Sequence, residues 1–82
     1  MIDYVLLVKG LILPLVIYPN DVVVEQSESE EGINIEVQVN EADFGRVIGK
    51  SGKIANAIRT IVYAAASKME QKVKVNIGQK DE

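Results

Sequence analysis

Gly45-Arg46-Val47-Ile48-Gly49-Lys50-Ser51-Gly52-Lys53 is the stretch on which the reading of this chain turns. It lies between two helical patterns, and Gly49 and Gly52 bracket one basic and one polar residue. Glycine has no Cβ, so another backbone can approach it closely. A helix that starts just after such a loop offers unsatisfied N–H groups and the positive end of its dipole. That combination suits a phosphate group.

The surroundings of the loop set its context. Upstream, Ile33 to Asn40 alternates apolar and polar residues through four cycles, the pattern of a strand with one buried face. Asn40 then reads as an N-cap, with Asp43 in the capping-box position, and opens a short helix over 41–48 that ends at Gly49. Downstream, a second helix is expected over 53–69. Its polar residues Lys53, Asn56, Arg59, Thr60, Tyr63 and Ser67 share one side, and Ile54, Ala57, Ile58, Ile61, Ala64 and Ala65 the other. Ala55, Val62 and Ala66 widen the apolar arc beyond half the circumference, more than so small a domain readily covers. Val73 to Ile77 alternates again and closes the series as a strand, followed by a polar tail over 79–82.

Before the loop, residues 3–17 predict a leading helix with Val5, Leu6, Leu11, Ile12, Leu15 and Val16 on its buried face. Pro14 lacks a backbone donor and should kink or divide it. Pro19-Asn20-Asp21 signals a turn. Val22 to Gln26 is β-branched and suits a strand. Ser27 to Gly32 reads as a polar, acidic connection. The order is helix, strand, strand, helix, loop, helix, strand. It predicts one α+β domain over 1–82, with three helices against one face of a three-stranded sheet.

Composition narrows the function. The chain has 82 residues with neither cysteine nor histidine. Disulfides, thiolate metal sites and the commonest general base and metal ligand are therefore excluded, and neither a metal nor an organic cofactor is expected. The apolar run from Tyr4 to Val24 is broken by Lys9, Gly10, Pro14 and Pro19, and Asp3 sits where a signal peptide carries positive charge. A membrane span needs about 20 consecutive apolar residues, so a cytoplasmic location is expected. The acidic Glu28, Glu30 and Glu31 suit a solvated turn; a calcium loop needs a denser ligand series.

Net charge is −3, yet it is unevenly spread. Residues 1–45 hold nine acids against Lys9, a balance of −8, whereas residues 46–74 hold seven bases against Glu70, a balance of +6. A polyanion responds to the local patch, not to the sum.

Three loop chemistries compete. A triphosphate loop needs four residues between its first glycine and Gly-Lys-Ser; here Arg46, Val47 and Ile48 make three, and no later strand ends in an aspartate for magnesium. A dinucleotide fingerprint needs Gly-x-Gly-x-x-Gly in a parallel βαβ unit, and only its second half is present. The third is a Gly-x-x-Gly loop joining two helices. Val47-Ile48-Gly49-Lys50-Ser51-Gly52-Lys53 with Ala57-Ile58-Arg59, between two strands, resembles the KH domain, whose loop clamps four single-stranded nucleotides. The element order, α-β-β-α-α-β, is similar to the type II (prokaryotic) arrangement. Gly45 to Lys50 with Ala57-Ile58-Arg59-Thr60-Ile61-Val62-Tyr63-Ala64-Ala65 further resembles the small bacterial KhpA (YlqC-type) family. The resemblance covers essentially the whole chain, with residues 20–32 contributing little.

That resemblance implies a non-catalytic protein that binds single-stranded RNA, pairs with itself and with the larger Jag-like KH protein KhpB, and belongs to post-transcriptional control, RNA chaperoning, and cell elongation and division. In this scheme Gly49 and Gly52 admit the RNA backbone, Lys50 and Lys53 face phosphates, and Ser51 donates a hydrogen bond. Arg46 and Arg59 extend the positive rim. Val47, Ile48 and Ala55 floor the groove beside the 33–39 strand. The surplus apolar surface at Ile61, Val62, Ala65 and Ala66 is the expected dimer contact, and Tyr63 stacks a base, joins that contact or is an ordinary surface tyrosine. The other reading is a scaffold or dimerisation domain whose protein partner carries the RNA contacts.

Overall fold

The computed structural model describes residues 2–79. Along the chain, α1 (Tyr4–Ile12) leads through two short 3-10 turns (Leu13–Leu15 and Pro19–Asp21) to β1 (Val23–Ser29) and β2 (Gly32–Val39). The crossover that follows contains α2 (Glu41–Ile48), a turn at Lys50–Gly52 and α3 (Lys53–Lys68), and β3 (Val73–Gln79) completes the sheet. The sheet order is β1-β2-β3. β1 pairs antiparallel with β2, and β3 runs parallel to β2.

The alternation in β2 sets the layers. Ile33, Ile35, Val37 and Val39 are buried, while Glu36 and Gln38 face solvent. Val24 of β1 and Val75 of β3 join the same core, opposite Val37 and Ile35 respectively. The helices supply the other half: Tyr4, Val8 and Ile12 at four-residue spacing on α1, Val47 on α2, and Ile58, Val62 and Ala66 on α3. This is the expected α+β architecture. The other face of the sheet is polar, with Glu25 directly across from Glu36, which also accepts a bond from the Asn76 amide at 3.1 Å.

The elements differ from expectation at their ends. The leading helix stops at Ile12, and Pro14 occupies the first positions of the following 3-10 turn, where a missing N–H costs least. Its buried stripe runs through Tyr4, Val8 and Ile12, so Leu6 points outward and is 66% exposed. β1 continues through Ser27-Glu28-Ser29, expected to be connection, because the antiparallel ladder reaches Ser29 opposite Gly32 and leaves only Glu30 and Glu31 in the turn. Polar residues are tolerated there since ladder bonds and pairing outweigh intrinsic strand preference. β3 likewise extends to Gln79, paired with Val39. The remainder of the expected polar tail, residues 80–82, lies outside the described residues.

Asp43 overturns its sequence assignment. Asn40 does cap α2, its side chain accepting from Ala42 N–H at 2.8 Å. Asp43 does not complete a capping box. Its carboxylate is fully buried and accepts the backbone N–H groups of Ile17 and Tyr18, both at 2.9 Å. Asn40 also donates to Asp21 at 2.8 Å. Together they fasten the α1–β1 connection to the start of α2, so a residue that looked local closes a contact 26 positions away.

Asp43→Ala should therefore destabilise the fold by roughly 3 kcal/mol, because two backbone donors lose a charged acceptor. Asp43→Asn, which keeps one acceptor oxygen, should cost about half as much. Urea unfolding followed by circular dichroism measures both, and an unchanged midpoint for Asp43→Ala would remove the tether from the account.

Candidate functional site

The helix N-termini of this protein are treated unequally. Asp3 caps α1 by accepting from Leu6 N–H, and α2 has its Asn40 cap plus Glu41 and Asp43 in the first turn. α3 has neither a side-chain cap nor an acid in its first turn; it opens with Lys53 directly after Lys50-Ser51-Gly52. Cations at the positive end of a helix dipole are unfavourable by a few tenths of a kcal/mol each, and an anion there reverses the sign. Lys50, Ser51 and Lys53 are all exposed.

The loop backbone is committed in a specific way. Gly49 and Gly52 both have φ near +76°, and Ser51 joins them at +57°. A non-glycine residue held left-handed stores about 1 kcal/mol or more, and such strain gathers at ligand-contacting sites. The two glycines are not equivalent. A Cβ on Gly49 would lie 2.7 Å from Ile54 Cγ1, so Gly49 admits the α3 side chain that seals the loop from beneath. A Cβ on Gly52 would meet only the Asn56 amide, at 3.9 Å, so Gly52 faces open space. Close approach from outside is thus open at Gly52. The Gly52 N–H donates to Gly49 O at 3.2 Å and the Lys53 N–H to Lys50 O. These two amides are satisfied inside the loop, contrary to the expectation of free N–H groups there, and the loop turns charged and hydroxyl side chains outward.

The other expected site residues divide by burial. Arg46 is exposed on the last turn of α2, and Ile48 is half-buried. Val47 has no exposed surface and Ala55 is 2% exposed. Both are core side chains held between the helices and sheet, and neither forms a groove floor that a ligand can touch. The 33–39 strand, expected alongside the groove, is the central strand of the sheet. Its backbone is paired on both edges, whereas β3 has a free edge. Arg59 crosses to that edge, donating from Nε to Val75 O at 3.2 Å and from Nη1 to Asn56 Oδ1 at 3.3 Å. Arg59 is therefore a strut between α3 and β3 with part of its guanidinium already engaged.

At about 100° per residue, α3 has two distinct flanks. Asn56, Arg59, Tyr63 and Ser67 lie on the one facing β3, as the Arg59–Val75 bond and the cavity shared by Tyr63, Ser67 and Val73 require. Ile54, Ala57, Ile61 and Ala65 lie on the other. Val62 and Ala66, expected at a dimer contact, are 0% and 2% exposed because they point between these flanks into the sheet. Only Ile61, 45% exposed, and the half-buried Ala65 remain of that set. Hydropathy alone could not separate them, since all four are apolar.

Two helices joined by a Gly-x-x-Gly turn, crossing over a β1-β2-β3 sheet after a leading helix and strand, define a KH domain. The KhpA/KhpB KH-domain family model matches residues 6–77. The chain is 49% identical over 71 residues to a Clostridium perfringens protein named RNA-binding protein KhpA, covering 87% of this chain and 95% of that protein. It is 44% identical to the protein of that name from Listeria monocytogenes, covering 87% and 93%, and 39% identical to that from Bacillus subtilis, covering 87% and 88%. The chain belongs to the KhpA/KhpB KH-domain family.

The unequal glycines give a test. Gly49→Ala should cost roughly 3 kcal/mol, from left-handed strain plus the Ile54 clash, and Gly52→Ala about 1 kcal/mol from strain alone. Thermal or urea unfolding reads both; equal losses would show that the Ile54 contact does not distinguish the positions.

Proposed function

We propose that this protein is a non-catalytic RNA-binding protein whose Gly49–Gly52 loop clamps the backbone of single-stranded RNA. The observation that carries this reading is the start of α3: a helix N-terminus without a cap or an acid, preceded by an open Gly52 and surrounded by Lys50, Lys53 and Arg46. The chain's own residues leave positive potential there, and a phosphodiester supplies the missing counter-charge. The family's members above are named for RNA binding, which fits that chemistry. Lys50 and Lys53 contact phosphates, Ser51 donates its hydroxyl, and Arg46 and the unengaged part of Arg59 widen the basic rim. Bases lie toward Ile48 and the β3 edge. Few phosphates are neutralised by one such module, so its affinity is modest and salt-dependent.

Pairing raises that affinity through effective concentration. Ile61, with Ala57, Ala64 and Ala65 around it, offers a low apolar surface on the flank of α3 away from β3. A second copy or the larger KhpB protein docks there, leaving the RNA side open. The biological setting that the family resemblance implies is a cytoplasmic post-transcriptional regulator or RNA chaperone tied to cell elongation and division. No helix among the described residues is long and apolar enough to cross a membrane. The second reading, a dimerisation scaffold whose partner carries the RNA contacts, draws on the same exposed Ile61 flank.

Changing Lys50 and Ser51 together to Asp should leave the circular dichroism spectrum intact. It should lower RNA affinity at least about tenfold and reduce the log–log salt slope by about 0.7 per lost phosphate contact. Unchanged recovery of crosslinked RNA in cells would move the site away from the loop and favour the scaffold. Separately, Ile61→Asp should convert a concentration-dependent mass in sedimentation to that of a monomer; a wild-type mass that is monomeric at every concentration sinks the pairing proposal.

A further inference from the structure

The flank of α3 that faces β3 does not end at Arg59. One turn further on, Tyr63 stands at the mouth of a cavity of ≈ 390 Å³, lined also by Ser67, Glu70, Gln71, Lys72 and Val73. Its ring is 42% exposed, and it lies about 160° around the helix from Ile61, on the opposite flank from the proposed pairing surface. Lys53 and Tyr63 are ten residues apart, so the cavity sits about 15 Å from the loop along the helix axis and about 80° around it.

The walls of this cavity are pinned. The Gln71 N–H donates to Ala66 O at 3.0 Å, and Lys72 O accepts from Ile33 N–H at 2.8 Å. The Tyr4 hydroxyl donates to Gln71 Oε1, which leaves the Gln71 amide nitrogen to donate elsewhere. Glu70 takes the left-handed conformation, at φ +54°, that ends the helix and turns the chain toward β3. The Tyr63 ring thus shares one cavity with the polar side chains of Ser67, Gln71 and Lys72 and with the acidic Glu70.

We infer that this cavity is a second nucleobase subsite, in which the base of a nucleotide beyond those held at the loop stacks on Tyr63, with Ser67 and Gln71 beside the base edge. The inference rests on the RNA-binding reading above and extends it along the α3–β3 crevice. Every base has a π-face, so an exposed aromatic ring accepts one without regard to sequence, while the polar groups beside it meet the base edge. Charge sets where the strand stops. Glu70 lines the cavity itself, and Glu28, Glu30 and Glu31 of the β1–β2 hairpin line the clefts on the other side of Lys72, so these carboxylates offset the Lys72 charge and a phosphate past the base meets them. The site is therefore basic at the loop, aromatic at its far end and closed by acids.

The test compares random-sequence single-stranded RNAs of about four nucleotides, the span of the loop clamp, with those of about eight, by fluorescence anisotropy. Tyr63→Ala should weaken the longer RNA about tenfold and leave the shorter unchanged, while Tyr63→Phe keeps both. Tyr63→Leu, which retains bulk without an aromatic face, should behave as the alanine variant. Crosslinking with 4-thiouridine-containing long RNA should label the tryptic peptide Thr60–Lys68 at Tyr63. Equal effects of Tyr63→Ala on both lengths, or none, overturn the subsite while leaving the loop clamp standing. A fall in both accompanied by loss of a dimer assigns the ring to a subunit contact instead. If wild-type protein binds neither length, the RNA reading fails and the subsite with it.

Discussion

β3 runs parallel to β2, and that constraint governs the rest of the molecule. A parallel neighbour cannot be reached by a tight turn; the chain must cross over the sheet. Here the crossover is two helices, α2 and α3, with the Gly49–Gly52 turn as the corner between them. The corner is closed from beneath by Ile54 against Gly49, and α2 is tied to the α1–β1 connection through Asp43. Ile54 thus packs under the loop, and the Asp43 carboxylate anchors the far end of the helix that leads into it. What it presents outward is left to Lys50, Ser51 and Lys53.

The same crossover separates the two flanks of α3. One flank looks across to the free edge of β3 and is polar, with Arg59 bridging to Val75 O and Tyr63 beyond it. The other is apolar and carries Ile61. Because the core consumes Ile58, Val62 and Ala66 between them, the two flanks share no exposed side chains. Glu25 and Glu36 lie on the solvent face of the sheet and Glu28, Glu30 and Glu31 at the β1–β2 hairpin, away from the Gly49–Gly52 loop. The −3 of the whole chain is thus compatible with a local anion site, since screening limits exposed charges to a reach of about 8–10 Å.

The places where sequence and structure part company share a cause. Asp43 sits three residues after an N-cap, where local rules assign it to that cap; only packing of a connection 26 residues upstream gives it a different partner. Ser27-Glu28-Ser29 has poor strand character and becomes strand because β2 supplies a ladder. Val47, Ala55, Val62 and Ala66 are apolar residues on helices with wide apolar arcs, and which part of an arc faces inward depends on where the neighbouring elements lie. Periodicity gives the arc and not its centre.

The sequence by itself determined the element order, the one-sided β2 alternation, the helix ends at Ile48 and Lys53, the basic loop with its two glycines, and the absence of any thiol or imidazole chemistry. These are local properties of spacing, side-chain polarity and backbone freedom. Only the tertiary structure decided which strand keeps a free edge, which glycine faces inward, how Arg59 is held, and that Tyr63 shares a cavity with Lys72. Each of those depends on residues far apart in the chain being brought together by the parallel crossover. No pattern confined to one segment encodes that.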